Sequence, residues 1–420
     1  MAYPDPNRTA QRLAFFLYSL ALFHLPAGRI VYSFGDLGEI KVGSSLENLL
    51  PTILLARVLW RGLKFQEWRE IFEPLREPLF LLFCGLAVCC AANLSSASLE
   101  DLARLIGQAG CGFLLAEWIW WGWNENRLWF VGLFLGFLWL GWQTPWGQLG
   151  VPSLEGPFGH RNTQSAFLIL SFPLLYLLYR RRSFGMRGLG VSGLAILLVS
   201  LAFILISKSR AGALGVLTTL AILGFGSLSR PRKDNSKRLA VLGSGFVFAV
   251  VALILLSPRF RDIAQEIANP YHRSRTAIWA AAVEEWRDPS AFLVGSGMGE
   301  TFDRILIDSP TGNLNFRYRR TLHPHSLYLQ WIIWGGVLAS CGWFLTLGKI
   351  WSFTLRSGRN GLTLVTGACL LGYAALEIFE SVMRFSRVAG IFFLDLALLL
   401  YMVHSLQKES DVENPREERQ

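Results

Sequence analysis

Charge is what this sequence has least of. Asp, Glu, Lys and Arg make up 17% of its 420 residues, where a soluble domain carries about a quarter. That deficit excludes an enzyme with an ordinary solvated surface. Cysteine is sparse as well. Cys84, Cys89, Cys90, Cys111, Cys341 and Cys369 lie inside apolar blocks and none forms a CxxC pair, so neither a thiolate metal site nor a disulfide framework is expected. No metal ligand set and no cofactor motif is read anywhere in the chain. The nearest to a phosphate loop is "GSGMG", 295–299. Alone it is a weak signal, and it reads as a turn. A cleaved signal peptide is not expected either. Arg8 and Arg12 precede an apolar run, but further runs follow, so the first is read as an anchor.

What the chain has in abundance is apolar residues, 52% of the total, with a mean hydropathy of +0.37. They come in blocks of about 17–25 residues, the length that crosses a bilayer. In lipid only helices and closed barrels satisfy their backbone, and these blocks are too long for barrel strands. The expected fold is therefore all-α: a polytopic transmembrane helix bundle of about 12 spans. The spans fall near 13–31, 43–61, 78–94, 101–121, 128–143, 163–179, 188–206, 211–228, 239–257, 325–347, 362–379 and 387–404. The division that follows is 1–257 as N-terminal transmembrane helices, 258–322 as one large, mostly helical outer loop, 323–405 as C-terminal transmembrane helices, and 406–420 as a disordered cytoplasmic tail.

The formal charge of +10 sits mostly in short loops around Arg57–Arg76, Arg180–Arg187, 229–238 and Lys349–Arg359. Such loops mark the cytoplasmic side, so the charge orients the chain in a lipid bilayer and implies no nucleic-acid partner. Both termini fall on the cytoplasmic side. The segments 143–162, 207–210 and 258–322 fall outside.

Four outward stretches carry residues suited to chemistry. In "SKSRAGAL", Arg210 begins an apolar helix, where a guanidinium is costly unless it meets water or an anion. A helix N-terminus also favours a phosphate. In "NPYHRSRTAIW", Arg273 and Arg275 precede an amphipathic segment, 276–287. In "EGPFGHRNTQSAF", Arg161 and Asn162 stand at the start of a span, with Asn162 or Thr163 suited to cap it. In "TLHPHSLYLQWIIWGG", His323 and His325 flank Pro324, which suits a first helical turn. His325 is therefore expected in that turn, where its ring can accept a proton. Glu377 and Glu380 approach the outer end of a span and are expected to pair with Arg384 or Arg387.

These stretches together resemble the O-antigen ligase and polymerase superfamily. His325, Ser326, nine residues and Gly336 match its histidine motif. "SKSRAGAL" is similar to its Ser-x-Ser-Arg-Gly helix start, with Ala211 inserted before Gly212. "GHRNTQSAF" resembles its Asn-Pro-Asn-x-x-Ala element in Asn162 and Ala166. Residues 274–302 resemble its Arg…Trp…Gly-x-Gly segment. The resemblance implies a metal-independent transferase of the bacterial inner membrane, with its active site facing outward. Such enzymes move a glycan from polyprenyl pyrophosphate to a hydroxyl on a glycan or lipid-linked acceptor, in surface polysaccharide biosynthesis. It assigns His325 and Arg210 to catalysis. Arg275 or Arg273 would hold the pyrophosphate, while His323, Asn162 and Arg161 would line the substrate. Exopolysaccharide polymerase is slightly preferred over lipid A core ligase. The alternative is an anion transporter or accessory of the bicarbonate type, using the same arginines as a trap.

Overall fold

A computed structural model describes residues 6–27, 30–33, 39–42, 50–61, 65–93, 96–121, 129–143, 161–180, 209–228, 279, 282–298, 324–356, 361–383 and 386–413. The helices are α1 Pro6–Ala27, α2 Leu50–Arg61, α3 Phe65–Ala92, α4 Ser96–Trp121, α5 Trp129–Gln143, α6 Arg161–Arg180, α7 Arg210–Leu228, α8 Pro289–Val294, α9 Leu327–Arg356, α10 Gly361–Leu376 and α11 Ser386–Glu413. A helix stands at each expected span that the described residues cover. The expected spans at 188–206 and 239–257, and most of the loop 258–322, lie outside them.

Among the described residues, three helical segments are long and apolar enough to cross a membrane: Trp68–Ala92, Leu327–Arg356 and Val388–Lys408. The count of twelve is not reached among the described residues. Shorter apolar helices are Leu50–Leu59, Arg210–Gly226 and Gly361–Leu376. A second departure is a small antiparallel hairpin, β1 Ile30–Ser33 and β2 Glu39–Val42, in register Ile30 to Val42. It stands where the first span was expected to end. Pro26 and Gly28 weaken the helix there, and the β-branched and aromatic run Ile30-Val31-Tyr32 suits a strand. The last helix continues through residues 406–413, the first part of the expected tail.

The chain forms two compact units. The first comprises Met1–Pro74, Ala103–Gly212 and Val382–Gln420. Within it α1 packs on α5 and α2, and α6 packs on α11. Glycine sets how closely these helices approach. A Cβ on Gly112 of α4 would lie 2.5 Å from the Gly390 carbonyl of α11 and 2.7 Å from the Leu394 nitrogen. Tyr18 stacks on Trp118 at 4.4 Å between ring centroids. Beside that stack Arg57 Nε and Nη2 donate to the two carboxylate oxygens of Glu117 at 2.6 and 3.1 Å. Trp68 Nε1 donates to the same carboxylate at 3.1 Å, and the Arg57 guanidinium lies 4.7 Å from the Trp68 ring. A forked, ring-backed pair of this kind is the geometry in which a buried arginine is best satisfied. The first unit also holds Asp395, fully buried on α11 with no hydrogen-bond partner on either carboxyl oxygen among the described residues.

The second unit comprises Leu75–Leu102 and Ala213–Ser381. Its central element is α9, whose helical path breaks at Gly335 and Gly336, the latter at φ 60 and ψ −151. Only glycine adopts that backbone readily. The break frees the carbonyl of Ile333. The Ser296 and Gly297 amides donate to it at 2.7 and 3.3 Å. A Cβ on Gly295 would lie 2.6 Å from the same oxygen. The turn is held from its other side as well. Ser98 Oγ donates to the Met298 carbonyl at 2.9 Å, and Ser296 Oγ donates to Glu285 Oε1 at 2.7 Å. The described part of the "GSGMG" turn, 295–298, is thus a plug for a kinked helix, with three of its amides already used.

Two stability predictions follow from these contacts. Arg57→Ala strands the Glu117 carboxylate, at an expected cost of about 3–5 kcal/mol. Replacing both residues by Met and Leu is expected to recover most of that loss, as read by melting temperature in detergent. Gly336→Ala is expected to cost about 1–3 kcal/mol from backbone strain. It also clashes with the Leu293 carbonyl, so faster limited proteolysis is expected at 295–298.

Candidate functional site

In the first unit two helices begin side by side. Ser209 caps α7: its Oγ accepts the Gly212 amide at 2.9 Å, the bond made by a residue preceding a helix to the third residue within it. The same hydroxyl donates to Asn162 Oδ1 at 2.5 Å. Asn162 is the second residue of α6. It therefore ties the starts of α6 and α7 together, a use other than the simple cap expected of it. Ser165 completes the contact, bonding back to the Arg161 carbonyl at 2.9 Å. A Cβ on Gly212 would lie 2.6 Å from the Ser165 Cβ. So the glycine two positions after Arg210 is where α6 comes closest.

Asn162, Thr163, Gln164, Ser165 and Ser209 are all buried, while Arg161 is partly exposed and Arg210 exposed. The result is a neutral, hydrogen-bonded base beneath two helix N-termini, each opening with an arginine. The N-terminal amides and the guanidinium of Arg210 favour the same charge, a negative one. Among the described residues, Thr163 Oγ1 and Gln164 Oε1 have no hydrogen-bond partner.

In the second unit His325 precedes α9, which begins at Leu327, so the expectation that it lies in the first turn is corrected. Its φ is 50, and it is the one described non-glycine residue in the left-handed region. Three contacts hold it there. Before it, Trp279 Nε1 donates to the Pro324 carbonyl at 2.9 Å. After it, the Leu327 amide is shared between the carbonyls of Glu377 and Glu380, both at 3.0 Å. On the ring, Nδ1 lies 3.4 Å from Glu380 Oε2. The His325 side chain is 28% exposed and that of Glu380 is 3% exposed.

One turn along α9, Tyr328 Oη donates to the Ala374 carbonyl at 2.9 Å, which fixes α9 against the end of α10. Trp279 also stacks on Phe379 at 6.0 Å. Strain of about 1–3 kcal/mol at a left-handed side chain persists only where the surroundings over-determine it, and such residues gather at working sites.

The structure thus groups Arg161, Asn162 and Arg210 in one unit and places His325 in the other. Arg273, Arg275 and His323 lie outside the described residues, as do Arg384 and the side chain of Arg387. Glu380, expected to pair with one of those two arginines, faces His325. The sequence reading missed Glu380 as a histidine partner, Ser209 as the hub between helices, and Trp279 as a clamp on Pro324. A signal did exist for Glu380: an acidic residue at the edge of an apolar block is costly and is retained where it does something.

Residues 195–344 match the family model described as O-antigen ligase. The matched stretch contains Arg210, Arg273, Arg275, His323 and His325 and stops short of Glu377 and Glu380. No curated protein matches the chain.

Ser209→Ala removes a cap and the tie to Asn162. An expected cost of about 0.5–2 kcal/mol comes from the cap alone. A double-mutant cycle with Asn162→Ala is expected to show coupling, measured by thermal unfolding in detergent.

Proposed function

We propose that this chain, whose residues 195–344 match the family model described as O-antigen ligase, transfers a glycan from polyprenyl pyrophosphate to an acceptor hydroxyl. The reaction takes place at the outer face of the bacterial inner membrane, in surface polysaccharide biosynthesis. The acceptor is another glycan or a lipid-linked one, and chain extension by a polymerase is slightly favoured over ligation to lipid A core. Both termini lie in the cytoplasm. The outer loop 258–322 joins transmembrane regions at 1–257 and 323–405.

His325 accepts the proton of the acceptor hydroxyl. The hydroxyl oxygen bonds to the anomeric carbon, the bond from that carbon to the pyrophosphate oxygen breaks, and polyprenyl pyrophosphate departs with the electron pair. Attack opposite the leaving group inverts the anomeric centre. General-base help of this kind is worth about 10²–10⁴-fold. Arg210 and one of Arg273 and Arg275 neutralise the pyrophosphate through forked contacts, commonly the largest catalytic contribution. Arg161, Asn162 and His323 line the donor. With the charge so neutralised, the leaving group needs no strong general acid.

The observation that carries this reading is the backbone of His325. A partly exposed imidazole is held at φ 50 by bonds on either side of it, an arrangement a purely structural residue at a helix start has no need of. Arg210, exposed at the first position of α7 above buried Ser209, supports it from the other unit.

The test is deletion of the gene, followed by gel analysis of envelope glycans. Complementation uses wild type, Arg210→Ala and His325→Ala at matched protein levels. Surface polysaccharide is expected to be lost or shortened and restored by wild type alone. Accumulated single lipid-linked units then identify a polymerase, and long unattached lipid-linked chains a ligase. Unchanged glycans in the deletion strain overturn the reading.

A further inference from the structure

We propose that Glu380 is the positioning residue for His325: its carboxylate fixes the imidazole tautomer, so that Nδ1 carries the proton and Nε2 offers its lone pair to the acceptor hydroxyl. This rests on His325 acting as the base.

The argument begins with donor and acceptor capacity. An ionised carboxylate only accepts hydrogen bonds, whereas a neutral imidazole has one donor and one acceptor nitrogen. Glu380 Oε2 lies 3.4 Å from Nδ1. If that pair forms a hydrogen bond, Nδ1 must be the donor and Nε2 is left as the acceptor. The separation is long for a hydrogen bond, as pairs of this type commonly are before substrate tightens them. The difference in exposure points the same way. The carboxylate is almost wholly enclosed and the ring is partly open, so the contact with Glu380 lies on the enclosed side of the pair.

The backbone supplies a second line of support. Glu380 meets this segment twice, through its side chain on the ring and through its main-chain carbonyl on the Leu327 amide. The turn that carries Glu380 is thereby locked to the residues that set the left-handed φ of His325. Trp279 closes the far side through Pro324, and its ring rests on Phe379, the neighbour of Glu380. Ring orientation and backbone orientation are therefore set by the same short turn, 377–380. Glu377, the other acidic group of that turn, is fully buried and contributes its carbonyl to the same amide. An acid that orients a histidine base and stabilises the imidazolium formed on proton transfer is a recurring solution in unrelated hydrolases. No element of the sequence resemblance includes position 380.

The experiment uses the full-length protein. Glu380→Gln, Glu380→Asp and His325→Asn replace wild type in the deletion strain at matched levels. Incorporation of labelled sugar into envelope glycan is followed over the first minutes. In parallel, wild type and Glu380→Gln are labelled with 15N-histidine, reconstituted in lipid bilayers and examined by solid-state NMR. His325→Asn serves to assign the His325 signals.

A glutamine can donate to Nδ1 and so favours the opposite tautomer. Glu380→Gln is therefore expected to slow incorporation by about 10²-fold or more, at an unchanged melting temperature. Glu380→Asp is expected to retain an intermediate rate. The NMR is expected to show Nδ1 protonated in wild type, with the proton moved to Nε2 in Glu380→Gln.

If His325→Asn abolishes incorporation while Glu380→Gln keeps the wild-type rate and tautomer, the positioning role is overturned and the base assignment survives. If His325→Asn keeps the wild-type rate, the base assignment itself fails. Should Glu380→Gln not accumulate, the wild-type spectrum decides alone: a neutral His325 protonated at Nε2 overturns the proposal.

Discussion

A helix must find partners for its first amides, and α9 finds one in an unusual place. The Leu327 N–H is shared by the carbonyls of Glu377 and Glu380, at the end of α10, which is distant in sequence. Orphan amides at a helix start are usually met by a capping side chain or by water. Using the end of another helix has two effects. It pins the start of α9 against the turn after α10, and it forces the chain just before Leu327 to leave at an angle. His325 takes up that angle in its left-handed backbone. The position of the imidazole follows from how one amide is satisfied.

The first unit solves the same problem by different means. There Ser209 meets the amide of Gly212, and the spare capacity of its hydroxyl reaches across to Asn162. In each unit the described residues expected at the site, Arg161, Asn162, Arg210 and His325, lie where a helix begins. The physical reason is economy of desolvation. Polar groups deep in a span lack water and must be fully paired, whereas at a helix start unpaired amides already call for polar partners. Asp395, buried on α11 without a hydrogen-bond partner among the described residues, stands outside this pattern. The structure offers no account of it.

Much of this was legible in the sequence, for reasons that differ from element to element. The helices could be placed because an apolar block of membrane length permits little else. The hairpin at 30–42 could not, because its first strand continues an apolar run and a short apolar strand looks like the end of a helix. Arg210 and His325 stood out because ionisable side chains at the edge of apolar blocks are costly. Their surroundings did not stand out. Glu380 was expected to choose an arginine a few positions away, the cheapest guess from sequence. Those arginine side chains lie outside the described residues; the histidine partner is 55 positions away and is brought near by the docking of α9 on α10. The same docking moved His325 out of the helical turn that Pro324 suggested. Pro324 is compatible with a first turn, but local preference gives way when Trp279 and Leu327 both bond to the neighbouring backbone.

The kink in α9 has a consequence for motion. A glycine break in a long helix is ordinarily a place to bend, because the carbonyl it frees can trade partners as the angle changes. In this chain that carbonyl, on Ile333, is already gripped by Ser296 and Gly297, and Gly295 and Gly336 are packed too closely for the two segments to slide. The break is splinted. Bending α9 at 335–336 would require the turn at 295–298 to travel with it or to release its amides from the Ile333 carbonyl. The turn at 295–298 and the two segments of α9 therefore behave as one piece. Any motion of α9 has to hinge somewhere other than at the pair of glycines that looks made for it.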